Sequence, residues 1–130
     1  MIRFDQVSKR YPGGIAALGE LTFTVESGEM VILSGHSGAG KSTLLKLIPA
    51  IERPTRGEAV VNGKNLLRLA RRRIPYFRRE IGVVFQDHKL LFDRTVFDNV
   101  ALPLIVTGAD PQEVPRRVRA ALEMVGLAPR

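Results

Sequence analysis

A glycine-rich stretch of eight residues carries the clearest chemical pattern in the sequence. It reads Gly35-His36-Ser37-Gly38-Ala39-Gly40-Lys41-Ser42 and matches G-x-x-x-x-G-K-[ST]. Glycine adopts backbone angles that side chains forbid, so successive N–H groups of such a loop can turn inward around a phosphate. We expect Gly38 and Gly40 to supply that freedom, and the small Ala39 to leave room for the ligand. The pattern therefore predicts a phosphate-binding loop.

The residues that close the loop predict which phosphates it holds. Lys41 would place a positive charge at the β- and γ-phosphates of a nucleotide, and Ser42 would offer a hydroxyl ligand to Mg²⁺. We expect Thr43 to contact the α-phosphate, and His36 and Ser37 to contribute only their backbone. A helix that starts here aims the positive end of its dipole at the same phosphates.

Apolar patterns on both sides predict the elements that position this loop. Residues 30–33 form a continuous apolar run, which is typical of a central strand covered on both faces. Residues 44–51 are apolar at helical spacing, and Pro49 predicts that this helix bends or ends early. A second apolar run at residues 81–85 predicts a second buried strand.

Alternating apolar and polar residues predict a small β layer around this core. Residues 2–7 and 21–25 alternate as half-buried antiparallel strands do. A third strand is expected at residues 58–61, closed by the tight-turn dipeptide Asn62-Gly63.

The last part of the chain predicts one amphipathic helix, with apolar residues between Val114 and Val125 and Gly126 as its stop. Its apolar stripe follows helical spacing, and Asp110 and Glu113 stand in capping-box positions. Pro115 lies early in that pattern, so Val114 is an alternative start.

Length and composition fit one globular domain. The chain has 130 residues, 45% apolar and 25% charged, and it has no cysteine, which excludes disulfides, thiolate metal sites and cysteine nucleophiles. A reducing compartment fits this composition. No signal peptide or bilayer-length apolar segment stands out, so we expect a cytoplasmic protein without its own membrane anchor.

Most of the net charge of +7 is concentrated in residues 52–80, where nine Lys and Arg face three acids. A solvated helical face explains such a segment, and so does proximity to an anionic membrane surface or to an acidic loop of a partner. Nucleic acid is not expected, because Tyr76 and Phe77 are the only aromatic residues among these charges.

Two further residues narrow the class of nucleotide-binding protein. Tyr11 follows the first strand, where an exposed aromatic ring could stack on adenine, and Gln86 follows the second apolar run. Together with the loop and the β layer, they resemble the ATP-binding-cassette (ABC) ATPases over residues 1–130. The resemblance implies an α/β P-loop NTPase fold: an incomplete RecA-like core with an N-terminal antiparallel β layer and the start of the helical lobe. The expected divisions are residues 1–85, the β layer and core, and residues 86–130, the Q-loop and beginning of the helical subdomain.

Within the family, the sequence resembles subunits that act in bacterial cell division. The residues that carry this are the loop, Met1-Ile2-Arg3-Phe4, Phe85-Gln86-Asp87-His88 and Asp93-Arg94-Thr95-Val96. The resemblance implies that ATP and Mg²⁺ are the cofactors, with Gly35 to Thr43 on the phosphates and Tyr11 on adenine. Lys41 and Gln86 are then the catalytic residues, Gln86 reaching Mg²⁺ and the attacking water. A tyrosine that plugs the edge of the β layer and a polar strand terminator remain the alternatives for Tyr11 and Gln86.

The resemblance also implies partners. A polytopic membrane subunit would dock near residues 88–99, and a second copy of the complete protein would join on ATP binding, at the cytoplasmic face of the bacterial inner membrane. The apolar residues 90–97 have a second interpretation, a hydrophobic staple folded back on the domain.

The family pattern continues with a signature segment, an acidic strand end and a switch histidine, and none of these precedes Arg130. We therefore expect a fragment that binds ATP but does not hydrolyse it. The alternatives are an ATPase subunit of another ABC transporter, of the lipoprotein-release type, and a non-catalytic module that docks to a membrane protein. A small phosphotransferase is the third, in which Asp87 helps hold Mg²⁺ and the arginines of residues 71–79 clamp phosphate.

Overall fold

The computed structural model describes residues 1–128 of the chain. They form two compact units, the first Met1–Val83 and the second beginning at Val84. Within the described residues, the helices are too short or too polar to cross a membrane.

The first unit is built on a four-stranded antiparallel sheet in the order β2-β1-β3-β4. The strands are β1 (Ile2–Arg10), β2 (Ala16–Val25), β3 (Arg56–Val61) and β4 (Lys64–Asn65). This confirms the predicted β layer, including the turn at Asn62-Gly63 between β3 and β4. The strands extend past their alternating residues, because backbone pairing continues beyond the positions that face the core.

One face of the sheet carries the core of this unit. Phe4 of β1 lies opposite Phe23 of β2, with ring centroids 4.9 Å apart. Further buried side chains come from β1, β3, the helix after the loop and the segment that follows the sheet: Val7, Ala59, Val61, Leu44, Leu47, Leu66 and Phe77. The sheet and the helix therefore share one hydrophobic cluster, which fixes the start of that helix against the sheet.

The helix after the glycine-rich loop, α1 (Lys41–Leu47), ends before Pro49, as predicted. Beyond its end the Arg78 guanidinium donates through Nε to the Pro49 carbonyl, at 3.0 Å, and through Nη2 to the Ala50 carbonyl, at 2.9 Å. These bonds give hydrogen-bond donors to two carbonyls of the segment that follows the helix. Arg78 therefore has a structural role within the basic segment.

The prediction of two buried strands is wrong. Residues 30–33 and 81–85 form no strand, and Met30 is 88% exposed and Val84 96% exposed. A strand needs neighbours for its N–H and C=O groups. In the part of the chain that the structure describes, the one sheet offers none to these two segments. Their apolar side chains are suited to burial, but the sequence pattern does not show which segments would cover them.

The arginine-rich segment forms a short 3-10 helix, Arg71–Arg73, that leads into α2 (Ile74–Arg78). Pro75 lies in the first turn of α2, where its missing N–H has no intrahelical acceptor to lose. The side chain of Phe77 anchors α2 in the core.

The second unit contains α3 (Val96–Val106) and α4 (Val114–Met124), which pack through Ala101, Val114 and Val118. The hydrophobic pattern of the sequence did not predict α3. Its signal was a capping box, in which the Asp98 amide donates to Thr95 Oγ1 at 3.1 Å and the Thr95 amide donates to Asp98 Oδ2 at 3.3 Å.

The capping box expected for α4 is also wrong. The helix begins at Val114, with Pro115 in its first turn. The Asp110 carboxylate accepts instead from the Gln112 amide at 2.9 Å, and the Glu113 amide donates to the Asp110 carbonyl at 2.9 Å. Proline favours the first helical turn, and this sets the start of α4 after the predicted box.

Candidate functional site

The glycine-rich loop is an exposed segment that leads into α1. Gly38 and Gly40 have φ angles of +81° and +90°, in the region that glycine alone adopts without strain. Gly40 is also packed closely, because a Cβ there would lie 2.6 Å from the carbonyl oxygen of Ala17 and 2.7 Å from Leu18 Cδ2. Backbone conformation and packing both require glycine at position 40.

The Lys41 ammonium is held against the beginning of this loop. Nζ donates to the Gly35 carbonyl at 2.6 Å and to the His36 carbonyl at 2.7 Å. An ammonium group has three donors, so one N–H is left for a ligand oxygen. The side chain thus fixes a positive charge at the loop without using all of its donors.

The backbone of the loop offers further donors. One turn is closed by the Ala39 amide, which donates to the His36 carbonyl at 3.2 Å. Within residues 1–128, the amides of Gly38, Gly40 and Ser42 have no hydrogen-bond acceptor. Free amides beside a fixed ammonium form a site suited to an anion with several oxygens, such as a phosphate chain.

The hydroxyl of Ser42 lies in the first turn of α1, and the Ser42 residue is exposed. The described residues contain no cluster of three or more His, Cys, Asp or Glu that could hold a metal ion alone. Magnesium usually keeps several waters and takes one or two protein ligands plus phosphate oxygens. A single hydroxyl beside a phosphate site fits that requirement.

For two further polar residues of the loop region, His36 and Thr43, the structure says less about a role in binding nucleotide. His36 Nδ1 lies 2.7 Å from the Ser37 carbonyl, so its ring is turned back on the loop. Thr43 is half-buried in the first turn of α1. Their predicted contacts with nucleotide stay predictions.

Tyr11 stands at the end of β1 and is half-buried. Its amide donates to the Ile15 carbonyl at 2.9 Å, which closes the turn into β2. Because Gly40 packs on Ala17 and Leu18 of β2, the hairpin that carries Tyr11 is attached directly to the phosphate loop. The structure brings the base-stacking candidate and the loop into one unit.

Lys9 is a residue of this site that was not predicted from the sequence. Its ammonium lies 5.1 Å from the centroid of the Tyr11 ring, within the range of a cation–π interaction. A lysine two residues before an aromatic, at the end of a strand, is the signal that could have found it, since alternate residues of extended chain share a face.

Gln86 belongs to the second unit, where it is exposed at the start of a turn. In the same turn, His88 and Lys89 have φ angles of +58° and +50°. The Lys89 ammonium lies 2.6 Å from the Asp87 carboxylate, and this hydrogen bond lowers the pKa of Asp87 below its ordinary value. The predicted role of Gln86 at the phosphates stays a prediction.

The predicted docking segment, residues 88–99, is held by its backbone. Asn99 accepts from the Leu91 amide at 2.8 Å and donates to the Leu91 carbonyl at 3.0 Å. The Leu90, Leu91 and Phe92 side chains are exposed, and Phe97 packs against the cluster of the second unit. The folded-back staple is therefore wrong for residues 90–92.

Comparison with known proteins gives one family. The model of the ABC transporter family matches residues 18–130. The chain is 58% identical over 127 residues to the cell division ATP-binding protein FtsE of Escherichia coli strain K12, and 46% identical over 127 residues to FtsE of Bacillus subtilis strain 168. Each alignment covers 98% of this chain, but 57% and 56% of the relative, respectively.

A solved structure gives the same result. It is a dimeric ATP-binding cassette in a post-hydrolysis state with ADP and Pi, and it matches with a TM-score of 0.90 at 34% identity. The match covers 100% of this chain and 59% of that one. The chain thus spans little more than half the length of these relatives, and it belongs to the ABC transporter family of ATP-binding proteins.

Proposed function

We propose that this chain is the nucleotide-binding part of an ATPase subunit that couples ATP binding and hydrolysis to a membrane partner in bacterial cell division. The observation that supports ATP binding most directly is the position of the Lys41 ammonium. It donates to the Gly35 and His36 carbonyls at 2.6 and 2.7 Å and lies among free backbone amides. The similarity to FtsE of two bacteria supports the cell-division assignment.

In this proposal the loop from Gly35 to Thr43 holds the phosphate chain of ATP. The spare N–H of Lys41 binds the β- and γ-phosphate oxygens, where charge grows as the terminal phosphate leaves. Ser42 would hold Mg²⁺ together with phosphate oxygens, and the bound ion neutralises phosphate charge. Tyr11 stacks on adenine.

Gln86 serves as the residue that orients the attacking water and carries the signal to the partner. A carboxamide can both accept and donate hydrogen bonds without adding charge next to the phosphates. Hydrolysis also needs an acidic residue and the signature segment of a second copy. We propose that residues 1–130 alone bind ATP but hardly turn it over.

The proposed partner is a polytopic membrane subunit of the FtsX kind, docked near residues 88–99, with the protein peripheral at the cytoplasmic face of the inner membrane. The exposed apolar side chains of Leu90, Leu91 and Phe92 support such an interface. The family match argues against the small phosphotransferase.

The test uses the full-length protein reconstituted with its membrane subunit. Lys41→Ala should weaken MgATP binding at least about tenfold, or about 1.4 kcal/mol, and abolish hydrolysis. Lys46→Ala is the matched control, since Lys46 is an exposed lysine at the other end of α1. Equal titration curves for wild type and Lys41→Ala would refute nucleotide binding by this loop.

Gln86→Ala separates binding from coupling. It should keep ATP affinity and lose the hydrolysis that the membrane subunit stimulates, whereas the exposed Gln112→Ala should change neither. Loss of ATP binding in Gln86→Ala would contradict the assigned role. In cells, the Lys41→Ala allele should produce undivided filaments; retained lipoproteins at the inner membrane would favour the lipoprotein-release alternative.

A further inference from the structure

Lys9 is a largely buried cation with three partners. Only 12% of its side chain is exposed. Its ammonium lies 3.1 Å from Glu52 Oε2, donates to the Arg53 carbonyl at 2.9 Å and faces the Tyr11 ring at 5.1 Å. Burying an ammonium group costs free energy unless its partners replace the lost water. All three partners therefore hold the side chain in one place.

The partners of Lys9 are tied to the phosphate-binding helix. The amides of Ile51 and Glu52 donate to the Lys46 carbonyl in the last turn of α1, at 2.9 and 3.1 Å. The first turn of α1 begins at Lys41. Lys9 thus links the Tyr11 ring to the far end of the helix whose beginning forms the phosphate site.

The backbone on either side of Lys9 is held by hydrogen bonds that do not involve the Lys9 side chain. The Thr55 amide donates to the Ser8 carbonyl at 2.8 Å, and the Arg10 amide donates to Thr55 Oγ1 at 2.9 Å. The end of β1 therefore keeps its place without the Lys9 side chain. Removing the ammonium releases the Tyr11 ring and leaves the strand where it is.

We propose that Lys9 is a positioning residue for base recognition, holding the Tyr11 ring at a fixed distance from the phosphate loop. The inference rests on the proposed function, in which Tyr11 stacks on adenine. A cation against one face of the ring restricts its rotation, and the base would then stack on the opposite face. Recognition of the base then depends on Lys9, whereas recognition of the phosphates does not.

The experiment compares two ligands of the full-length protein, MgATP and magnesium tripolyphosphate, by equilibrium titration. Lys9→Met keeps the aliphatic stem and removes the charge. It should weaken ATP binding about three- to fivefold and leave tripolyphosphate binding unchanged. Lys9→Arg should restore most of the ATP affinity, because a guanidinium also contacts a ring face and a carboxylate.

The chain offers a matched control in Lys64. Its ammonium lies 5.8 Å from the Phe77 ring centroid and pairs with Glu80, away from Tyr11. Lys64→Met therefore removes the same kind of cation–π contact and ion pair from the same unit. Binding of both ligands should be unchanged in it.

Tyr11→Ala separates this inference from the function on which it rests. It should weaken ATP at least about fivefold and spare tripolyphosphate; unchanged ATP affinity would refute the stacking role itself. If Tyr11→Ala behaves as expected, equal losses for both ligands in Lys9→Met, or no loss for either, would overturn the role of Lys9. Should Lys9→Met not fold, Lys9→Gln is titrated with the same two ligands, because it removes the charge and keeps an N–H donor near the Arg53 carbonyl.

Discussion

Both the fold of the loop and its phosphate chemistry require glycine at position 40. Its φ of +90° starts α1 and frees the amides behind it, and its missing Cβ lets the loop lie against Ala17 and Leu18. Here a single substitution disturbs both the phosphate site and its attachment to the base-binding hairpin.

We predict that Gly40→Ala destabilises the full-length protein by clearly more than the roughly 1 kcal/mol that a left-handed alanine costs, and abolishes ATP binding. The reason is the added contact with a backbone carbonyl, which cannot swing aside as a side chain can. Gly63→Ala is the control, because Gly63 has a φ of +74° and open space around it. Equal losses in urea unfolding for the two variants would contradict the packing argument.

At this scale the sequence predicts the loop well and its surroundings poorly. The spacing of Gly38, Gly40 and Lys41 is enough to infer a phosphate site, because backbone freedom and charge are local properties. The contacts of Lys9 with Glu52 and Arg53 span more than forty residues of sequence. No local pattern could reveal them, since they depend on how β1 lies beside the segment after α1.

At the scale of elements, α3 is determined by its first turn more than by its faces. Seven of its eleven residues, 100–106, are apolar or proline in one unbroken run, which hides a helical stripe in the sequence. The Thr95 and Asp98 side chains instead satisfy the first amides reciprocally. A cap uses only two residues and leaves no period, so the hydrophobic pattern did not predict this helix.

Thr95→Ala should therefore loosen the start of α3 by about 1 kcal/mol. The expected measurement is faster amide hydrogen exchange over residues 96–99, with little change in α4. Asp93→Ala serves as the control, because Asp93 is an exposed acid with only a 3.9 Å contact to Arg94. The Thr95→Ala and Asp98→Ala effects should be less than additive; full additivity would mean that the two side chains do not act as one cap.

For the whole molecule, the antiparallel sheet was predictable and the central strands were not. Residues 2–10 and 16–25 find their partners within the first sixty-one residues, so pattern and structure agree. Residues 30–33 and 81–85 have the composition of doubly covered strands, yet all of them except the half-buried Ile81 lie exposed. The composition of a segment shows whether it could form a buried strand. Whether it does so depends on which other segments are present to pair with its backbone.

Because pairing depends on the segments present, the same substitution should affect stability differently in the full-length protein and in residues 1–130 alone. In the full-length protein, which we propose supplies the missing neighbours, Ile32→Lys and Val84→Lys should each cost several kcal/mol, because each would bury a charge. In residues 1–130 alone, where Ile32 is 82% exposed and Val84 96% exposed, the same changes should leave stability nearly unchanged and reduce self-association. Ile15→Lys, at an exposed turn, should be neutral in the full-length protein. Unfolding curves and sedimentation measure the two effects, and a neutral Ile32→Lys in the full-length protein would mean that residues 30–33 are not a core strand.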